Sequence, residues 1–285
     1  MSLIPAFRRD LELLADIRTV DQSRDFLHLW WLGQSGFLIR WNGHTLLLDP
    51  YLSDALTEKY RDTDKPHVRL SERVVDPALL TDIDIVTSSH NHTDHLDAAT
   101  LLPLMEANPG IQMVLPAANV DFARARLGHG GALVSMHGLD DGTTLEAGGF
   151  SITGLAAAHN DIARDAQGRC HYLSLIIRAG DFTLYHSGDT LWHGGLVPAL
   201  LLARPDIMML PINGNLPARR VAGNLNGTEA AALAKACAAG LVIPHHFDLF
   251  EFNTADPSEF TGACSRLGQT ARVLRLGEGL RWPLV

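Results

Sequence analysis

The sequence predicts an α/β fold in which two β-sheets pack against each other and helices cover them. Three observations support this fold class. Strand-like apolar segments occur in groups in both halves of the 285-residue chain, helix-like segments follow each group, and no linker rich in proline, glycine or serine separates the halves. The length suffices for one large domain with a sizeable core. We therefore expect a single domain over residues 1–285, with residues 1–25 as an N-terminal helical extension.

The first quarter of the chain is expected to begin with a helix and to continue as strands. Residues 3–24 are predicted to be helical, with Arg, Asp and Glu side chains on one face. Residues 26–54 indicate two or three strands, and Asn42-Gly43 suits a hairpin turn because both central positions of that turn need a positive φ. Residues 55–76 are charged and lack a clean periodicity, which predicts an excursion over the surface.

The rest of the chain repeats the alternation of strands and helices. We expect a strand that ends before His90 and a helix that follows His95. The later predicted elements are a strand at 111–116, a helix at 120–128, hairpins at 143–160 and 170–190, a helix at 196–204, a strand at 206–212, a helix at 226–240 with Gly240 as its C-cap, and a strand running into a loop at 241–250.

The composition is that of a soluble globular protein and excludes several function classes. A formal net charge of -9 argues against nucleic-acid or anionic-membrane binding, since both need a basic face. No apolar run of about 18 residues predicts a transmembrane helix, and the N-terminus has no basic leader followed by an apolar core. Cys170, Cys237 and Cys264 are far apart and form no CxxC motif, which favours inert thiols in a reducing compartment. We therefore expect a cytoplasmic protein.

A dense group of titratable side chains lies in "SSHNHTDHLD", residues 88–97. The group follows a buried apolar strand and precedes a helix, which is where α/β proteins keep their chemistry. The alternative interpretation is a solvated polar loop. The spacing of His90, His92, Asp94 and His95 favours a divalent metal site instead, because such ions take neutral imidazole and carboxylate ligands.

Further candidate ligands follow three other predicted strands. His159 follows Ala156–Ala158, Asp189 lies in "YHSGDT", and His245 and His246 follow "LVIP". Each of these positions is a weak signal alone. Together they would bury several polar groups in one place, which is costly unless a partner compensates each group. A pair of metal ions provides that compensation.

The pattern HNHTDH resembles the HxHxDH signature of the metallo-β-lactamase superfamily. His159, Asp189 and one of His245 and His246 follow it in the order that this family uses, and the resemblance spans roughly residues 28–260. This resemblance implies a four-layer αββα sandwich of two mixed sheets flanked by helices. Within the superfamily, "WWLGQSGFLI", "LYHSGDT" and "VIPHHFDLFEFNTADP" look like the L-ascorbate-6-phosphate lactonase-like branch. The stretch "SSHNHTDHLD" is more loosely similar to the N-acyl phosphatidylethanolamine phospholipase D-like branch.

The resemblance also implies roles for individual residues. The implied ligands are His90, His92 and His159 for a first metal, Asp94, His95 and His246 for a second metal, and Asp189 as a bridge between the two. His246 is preferred to His245 because relatives place this ligand two residues after the proline of "IP". Asp49 is similar to a residue that orients a ligand imidazole from behind. His186 and His245 are expected next to the ligands, and Gln34 stands where many relatives carry histidine, so its role stays open.

Such a site implies hydrolysis by a metal-bound hydroxide. Two divalent ions about 3.5–4 Å apart hold a water molecule between them, lower its pKa and stabilise the oxyanion that develops. Asp94 and Asp189 are the candidate catalytic carboxylates, and Asp94 is expected to receive or orient the proton of the attacking water. Ser35 in "GQSG" does not form a GxSxG nucleophile elbow. The cofactor is expected to be one or two ions of Zn, Mn or Fe, since no cysteine ligand selects zinc.

A basic stretch within this acidic protein supplies candidate substrate residues. Lys59, Arg61, Lys65 and Arg69, together with His67, predict a clamp for a phosphate or carboxylate group. The alternative is an ordinary solvated loop, because Glu58, Asp62 and Asp64 offset the positive charges.

These features predict a metal-dependent hydrolase that acts on a small anionic ester, foremost a sugar lactone or sugar-phosphate lactone. The first alternative is a phosphodiesterase of the same fold that acts on lipid or nucleotide phosphodiesters. A non-catalytic metal-binding protein is a further alternative, disfavoured because the ligand set is intact. A redox di-iron role is disfavoured because oxygen-reducing relatives carry glutamate where this chain has His92. The expected partner is a small-molecule substrate, with no nucleic acid and no membrane span, and homo-oligomers are expected by analogy with the lactonase-like branch.

Overall fold

Two mixed β-sheets form the centre of the computed structural model, which describes residues 3–131 and 134–283. The strands are β1 Leu27–Gly33, β2 Gly36–Trp41, β3 His44–Leu48, β4 Ile85–Thr87, β5 Gln112–Pro116, β6 Ser135–Leu139, β7 Thr144–Ala147, β8 Phe150–Ala156, β9 Leu173–Ala179, β10 Phe182–His186, β11 Ile207–Pro211, β12 Leu241–His245 and β13 Gly279–Trp282. Within the described ranges, the first sheet has the order β13-β1-β2-β3-β4-β5-β6 and the second has the order β12-β11-β10-β9-β8-β7.

Each sheet combines parallel and antiparallel pairs. In the first sheet β3, β4, β5 and β6 run parallel, and β13, β1, β2 and β3 pair antiparallel. In the second sheet β10, β11 and β12 run parallel, and β7 to β10 form an antiparallel meander. Parallel strands place their carboxyl ends at the same edge of a sheet, so the loops after β10 and β12 meet at one edge.

Helices complete the two outer layers. They are α1 Asp10–Thr19, α2 Ala55–Tyr60, α3 Ala98–Ala107, α4 Val120–Gly131, α5 Leu196–Ala203, α6 Gly227–Ala236 and α7 Ser258–Leu267. Helix α3 packs against α4, whereas α6 packs against α7 and against β11 and β12. In the described part of the chain, no helix has the length and apolarity needed to cross a bilayer.

The apolar core lies between the sheets and joins them. All seven residues of β1 are buried, as expected for a strand that is covered on both faces. Trp41 of β2 approaches Phe150 of β8 with ring centroids 6.5 Å apart, and Phe37 of β2 meets His245 of β12 edge to face. The predicted arrangement of two mixed sheets flanked by helices is therefore confirmed.

The first helix is shorter than predicted. Helix α1 spans Asp10–Thr19 instead of residues 3–24. The preceding segment pairs with distant backbone: Ile4 forms a bridge with Ser71, and the Phe7 amide donates to the Leu276 carbonyl at 2.7 Å. Because these long-range hydrogen bonds replace the i to i−4 bonds of a helix, a local pattern does not reveal them.

The predicted C-cap of α6 at Gly240 is wrong. The helix ends at Ala236, and Ala238 takes the left-handed conformation, with a φ of 55°, that glycine ordinarily supplies at a helix end. Gly240 has a packing role instead: a Cβ there would lie 2.9 Å from the Asp206 carbonyl oxygen. Strands β6 and β13 and helix α7 are elements that the sequence pattern did not reveal.

Candidate metal centre

The candidate ligands converge from the ends of four strands. The loop after β4 carries His90, His92, Asp94 and His95, and His159, Asp189 and His246 follow β8, β10 and β12. His90, His95, His159, Asp189 and His246 are buried, whereas His92 and Asp94 are partly exposed. Residues up to 156 positions apart in the chain therefore share one site because the sheet edges bring the loops together.

These side chains form two adjacent triads. The donor atoms of His90, His92 and His159 lie within 4.8 Å of one another, and those of Asp94, His95 and His246 do the same. Asp189 lies between the triads: its Oδ2 is 3.6 Å from His159 Nε2 and 3.5 Å from His246 Nε2. The donor atoms of His90, His95 and Asp189 form a third group of this kind, so the assignment of these residues to a first metal, a second metal and a bridge stays a prediction.

Unpartnered buried atoms show that the residues fit a bound metal ion. Within the described ranges, His90 Nε2, His95 Nε2 and Asp189 Oδ1 are buried and have no hydrogen-bond partner. Buried polar atoms are almost always satisfied, because an unsatisfied one costs about 1–3 kcal/mol. Imidazole nitrogens and carboxylate oxygens are the donors that zinc, manganese and iron accept. Cations placed between the two triads would satisfy all three atoms.

The electrostatics of the cluster also favour a cation. Burial lowers the pKa of His90 well below its usual value and that of His92 to about 4, so both rings are neutral, as ligation requires. Burial would lower the pKa of His95 as well, but the carboxylates of Asp189 and Asp94 raise it well above its usual value. The negative charges of the two carboxylates thus stabilise a cation where the two triads meet.

The carboxylate of Asp49 contacts the imidazole of His95 on the side that faces away from the site. Asp49 is fully buried, and its Oδ2 lies 2.7 Å from His95 Nδ1. Its Oδ1 accepts hydrogen bonds from the Ser89 amide at 3.0 Å and from Thr87 Oγ1 at 2.8 Å. With Nδ1 occupied in this way, His95 presents Nε2 to the site. The orienting role of Asp49 toward a metal ligand stays a prediction.

Other contacts that orient the ligands were missed in the sequence. The Gly223 carbonyl lies 2.9 Å from His159 Nδ1, and Ser89 Oγ lies 3.0 Å from His90 Nδ1. The ring of Tyr172 packs against His90 and His159, with centroids 5.3 and 5.5 Å away. Ser89 lies inside the histidine-rich stretch, so its position next to His90 in the sequence could have suggested this contact. Gly223 and Tyr172 come from distant loops and carried no local signal.

His246, and not His245, reaches the cluster. His246 Nε2 lies 3.7 Å from Asp94 Oδ2, whereas His245 points between the sheets and meets Ser35 Oγ at 3.2 Å and Ser187 Oγ at 3.3 Å. His186 stacks on His245 with ring centroids 5.4 Å apart. The predicted neighbours His186 and His245 therefore form a buried layer behind the site, and neither makes a direct hydrogen bond to a candidate ligand in the described residues.

Gln34 contacts both Asp94 and His246. Its Nε2 donates to Asp94 Oδ2 at 2.8 Å and lies 3.0 Å from His246 Nε2. The backbone of Gln34 has a φ of 48°, and its carbonyl accepts from the Trp31 indole at 3.0 Å and from the His246 amide at 3.1 Å. Gln34 therefore positions the second triad through both its side chain and its main chain, a role that the sequence left open.

A cavity of about 480 Å³ opens above the candidate ligands. Its walls include Lys59 and Lys65 from the predicted basic stretch, and also Arg126 and Arg220, which lie outside that stretch and were not predicted. His67 lines the cavity as well, but burial lowers its pKa, so it adds no charge at neutral pH. The excursion at 55–76, which contains α2, therefore forms one wall of the cavity.

The predicted clamp residues Arg61 and Arg69 do not line this cavity. Arg61 is exposed. Arg69 has a side chain only 10% exposed, which donates to Asp54 Oδ1 at 2.6 Å and to the Ser53 carbonyl. These bonds anchor the excursion to the loop after β3. The local charge pattern did not distinguish this structural arginine from the two lysines that face the cavity.

The three cysteines lie outside the clusters that could hold a metal. Burial raises the pKa of Cys170, Cys237 and Cys264 to about 11, so each is a protonated thiol at neutral pH. Serine at each position is expected to leave the metal content unchanged. At Cys237 and Cys264 it is also expected to lower the free energy of unfolding by about 1–3 kcal/mol, because burial alone shifts these thiols and a buried hydroxyl would lack a partner there. Elemental analysis and urea denaturation measure the two effects. A folded variant that lost its metal would contradict the ligand assignment.

Comparisons with known proteins identify the family. A model described as the Beta-lactamase superfamily domain matches residues 28–246, which is more than half of the chain. The chain belongs to the metallo-β-lactamase superfamily. A "UPF0173 metal-dependent hydrolase" of Methanosarcina mazei is 25% identical to this chain over 83% of it and 90% of the relative.

Two solved structures share the fold of this superfamily member. An isothiocyanate hydrolase from Delia radicum gut bacteria has a TM-score of 0.70 at 19% identity and covers 89% of this chain and 98% of its own. CmlA, a diiron β-hydroxylase from Streptomyces venezuelae, has a TM-score of 0.65 at 18% identity, covering 93% of this chain and 55% of its own. At these identities the likeness concerns the fold alone. The lactonase-like branch and the kind of metal stay predictions.

Proposed function

We propose that this superfamily member is a metal-dependent hydrolase of a small anionic ester, foremost a sugar lactone or sugar-phosphate lactone. One observation carries the proposal: two donor triads, with Asp189 between them, lie at the base of a cavity whose walls carry lysine and arginine side chains. The names of curated relatives as metal-dependent hydrolases support the reaction class.

The proposed ligands are His90, His92 and His159 for one ion, Asp94, His95 and His246 for another, and Asp189 for both. Bound divalent metal would supply a water of lowered pKa and stabilise the negative charge that develops on the ester. Asp94 is partly exposed to the cavity, and Gln34 holds its Oδ2. No donor contacts Asp94 Oδ1 in the described residues, so Asp94 is placed to receive the proton of the attacking water.

The walls of the cavity support an anionic substrate. Lys59 and Lys65 have no carboxylate within salt-bridge distance in the described part of the chain. A cavity of about 480 Å³ lies within the usual range for small-molecule sites. The phosphodiesterase alternative rests on the same basic walls, because a phosphodiester is also anionic. A small phosphodiester, more than a lipid one, suits the size of this cavity.

Metal removal tests the reaction class. Protein purified without chelators is expected to carry at least about one transition-metal ion per chain, because seven donors converge. Chelation is expected to abolish hydrolysis of sugar lactones, and added Zn²⁺, Mn²⁺ or Fe²⁺ is expected to restore it. Elemental analysis and a pH-stat assay measure the two quantities. Full lactone hydrolysis by metal-free protein would overturn the proposal, and a strong preference for a generic phosphodiester such as bis(p-nitrophenyl) phosphate would promote the alternative.

A further inference from the structure

We propose that Arg126 and Lys59 form an anion subsite beside the loop at 91–93, where they bind a second, non-reacting phosphate or carboxylate group of the substrate. The inference rests on the proposed function, since it specifies the substrate class of the same cavity. Arg126 lies in α4 and Lys59 in α2, and both line the cavity.

The guanidinium of Arg126 is held in place from one side. Its Nη1 donates to the Asn91 carbonyl at 2.8 Å and to the Leu96 carbonyl at 3.0 Å, which uses both hydrogens of that nitrogen. The guanidinium carbon lies 4.4 Å from the centroid of the Phe122 ring, which also lines the cavity. Two carbonyls and one aromatic face therefore fix the plane of the group.

The opposite edge of Arg126 remains free for a ligand. Nε and Nη2 have no partner in the described residues, and these two nitrogens form the fork that matches a carboxylate or phosphate in two parallel hydrogen bonds. Because the backbone bonds already fix the guanidinium, little side-chain freedom is lost when an anion binds. An arginine arranged only for stability would not need to leave this edge open within a cavity.

Charge balance distinguishes this pair from Arg220, whereas Lys65 also lacks a carboxylate partner in the described residues. Arg220 is neutralised by Asp64, and Lys65 Nζ donates to the Arg220 carbonyl at 2.5 Å. No carboxylate lies within salt-bridge distance of Arg126 or Lys59 in the described ranges. The nearest acidic influence on Arg126 is Asp97, which accepts hydrogen bonds from Ser53 and Thr100.

Lys59 supplies the second charge of the subsite. Its Nζ donates to Thr93 Oγ1 at 3.3 Å, which leaves two of its three hydrogens for an anion. Asn91 and Thr93, which Arg126 and Lys59 contact, flank the candidate ligand His92. An anion at this position would anchor one end of a substrate while its ester lies over the two triads. The structure thus favours a lactone or ester that carries a separate phosphate or carboxylate group over a neutral lactone or ester.

Binding of a matched pair of product-like acids tests the subsite without relying on turnover. The probes are 6-phosphogluconate and gluconate, which share a carboxylate and differ in one phosphate, titrated by calorimetry into metal-loaded protein. We expect the wild type to bind 6-phosphogluconate at least about tenfold more tightly than gluconate, and Arg126→Gln to remove most of that difference, as expected for a charge-assisted contact. Arg126→Lys, which retains the charge but lacks the fork, is expected to give an intermediate difference.

Arg124→Gln is the matched control. Arg124 lies on the same helix, is exposed and pairs with Asp121 at 3.4 Å, so its loss should leave the binding ratio unchanged. No preference for the phosphorylated acid in the wild type, or an unchanged preference in metal-loaded Arg126→Gln and Arg126→Lys, overturns the subsite. A preference lost in Arg126→Gln supports the subsite even if the wild type hydrolyses no ester, and in that case only the proposed reaction fails.

Discussion

Asp189→Ala is expected to remove bound metal and to lower hydrolytic activity at least about a hundredfold, the scale of lost oxyanion stabilisation. Asp189 is the one candidate ligand whose oxygens face both triads, with Oδ1 3.5 Å from His95 Nε2 and Oδ2 3.6 Å from His159 Nε2. Its loss removes a negative charge from a cluster of five imidazoles, so cations are no longer balanced there. His92→Ala is expected to reduce activity to a similar extent. Elemental analysis and initial rates on a sugar lactone provide the measurement.

Asp181→Ala is the matched control for Asp189. Asp181 immediately precedes β10, whereas Asp189 follows the other end of the same strand, and Asp181 is exposed. Metal content and activity should therefore be retained in that variant. Wild-type metal content and activity in a folded Asp189→Ala protein would refute the assignment of Asp189 as a bridge, whatever the other ligands do.

Asp49→Asn is expected to weaken metal binding about 10–100-fold, although Asp49 itself touches no metal position. The carboxylate accepts on both oxygens, from His95 on one side and from Ser89 and Thr87 on the other. An amide has one acceptor oxygen, so its NH₂ group would face a donor on one of the two sides. The ring of His95 then loses its fixed orientation. Competition with a chromogenic chelator measures the affinity.

A stability measurement separates positioning from unfolding in this variant. A buried mismatch of this kind costs about 1–3 kcal/mol, which a folded domain of this size should tolerate. Asp121→Asn provides the exposed control, since the Asp121 side chain is 99% exposed. Unchanged metal affinity in folded Asp49→Asn would show that the Asp49–His95 contact does not orient a ligand.

The amino-acid sequence by itself indicated which strands end at candidate ligands, and it indicated a metal site. Apolar runs that stop at histidine and aspartate are local patterns, and the polarity change at each strand end is visible without any partner strand. The spacing of His90, His92, Asp94 and His95 therefore predicted a metal site, and the resemblance to the metallo-β-lactamase superfamily implied which later side chains would join it. The two-sheet arrangement followed from the same alternation of strands and helices.

Only the tertiary structure decided how those side chains are held and which cations face the cavity. His159 takes its orientation from the Gly223 carbonyl, 64 residues away, and Arg126 takes its orientation from the carbonyls of Asn91 and Leu96. Backbone carbonyls occur at every residue, so no sequence pattern marks the few that act in this way. Arg69 and Lys65 look alike in a charged stretch, yet Arg69 is bonded to Asp54 and Lys65 lines the cavity. Whether a charge binds substrate or stabilises a loop depends on its neighbours across the fold, because hydrogen bonds and ion pairs are set by distance in space and not along the chain.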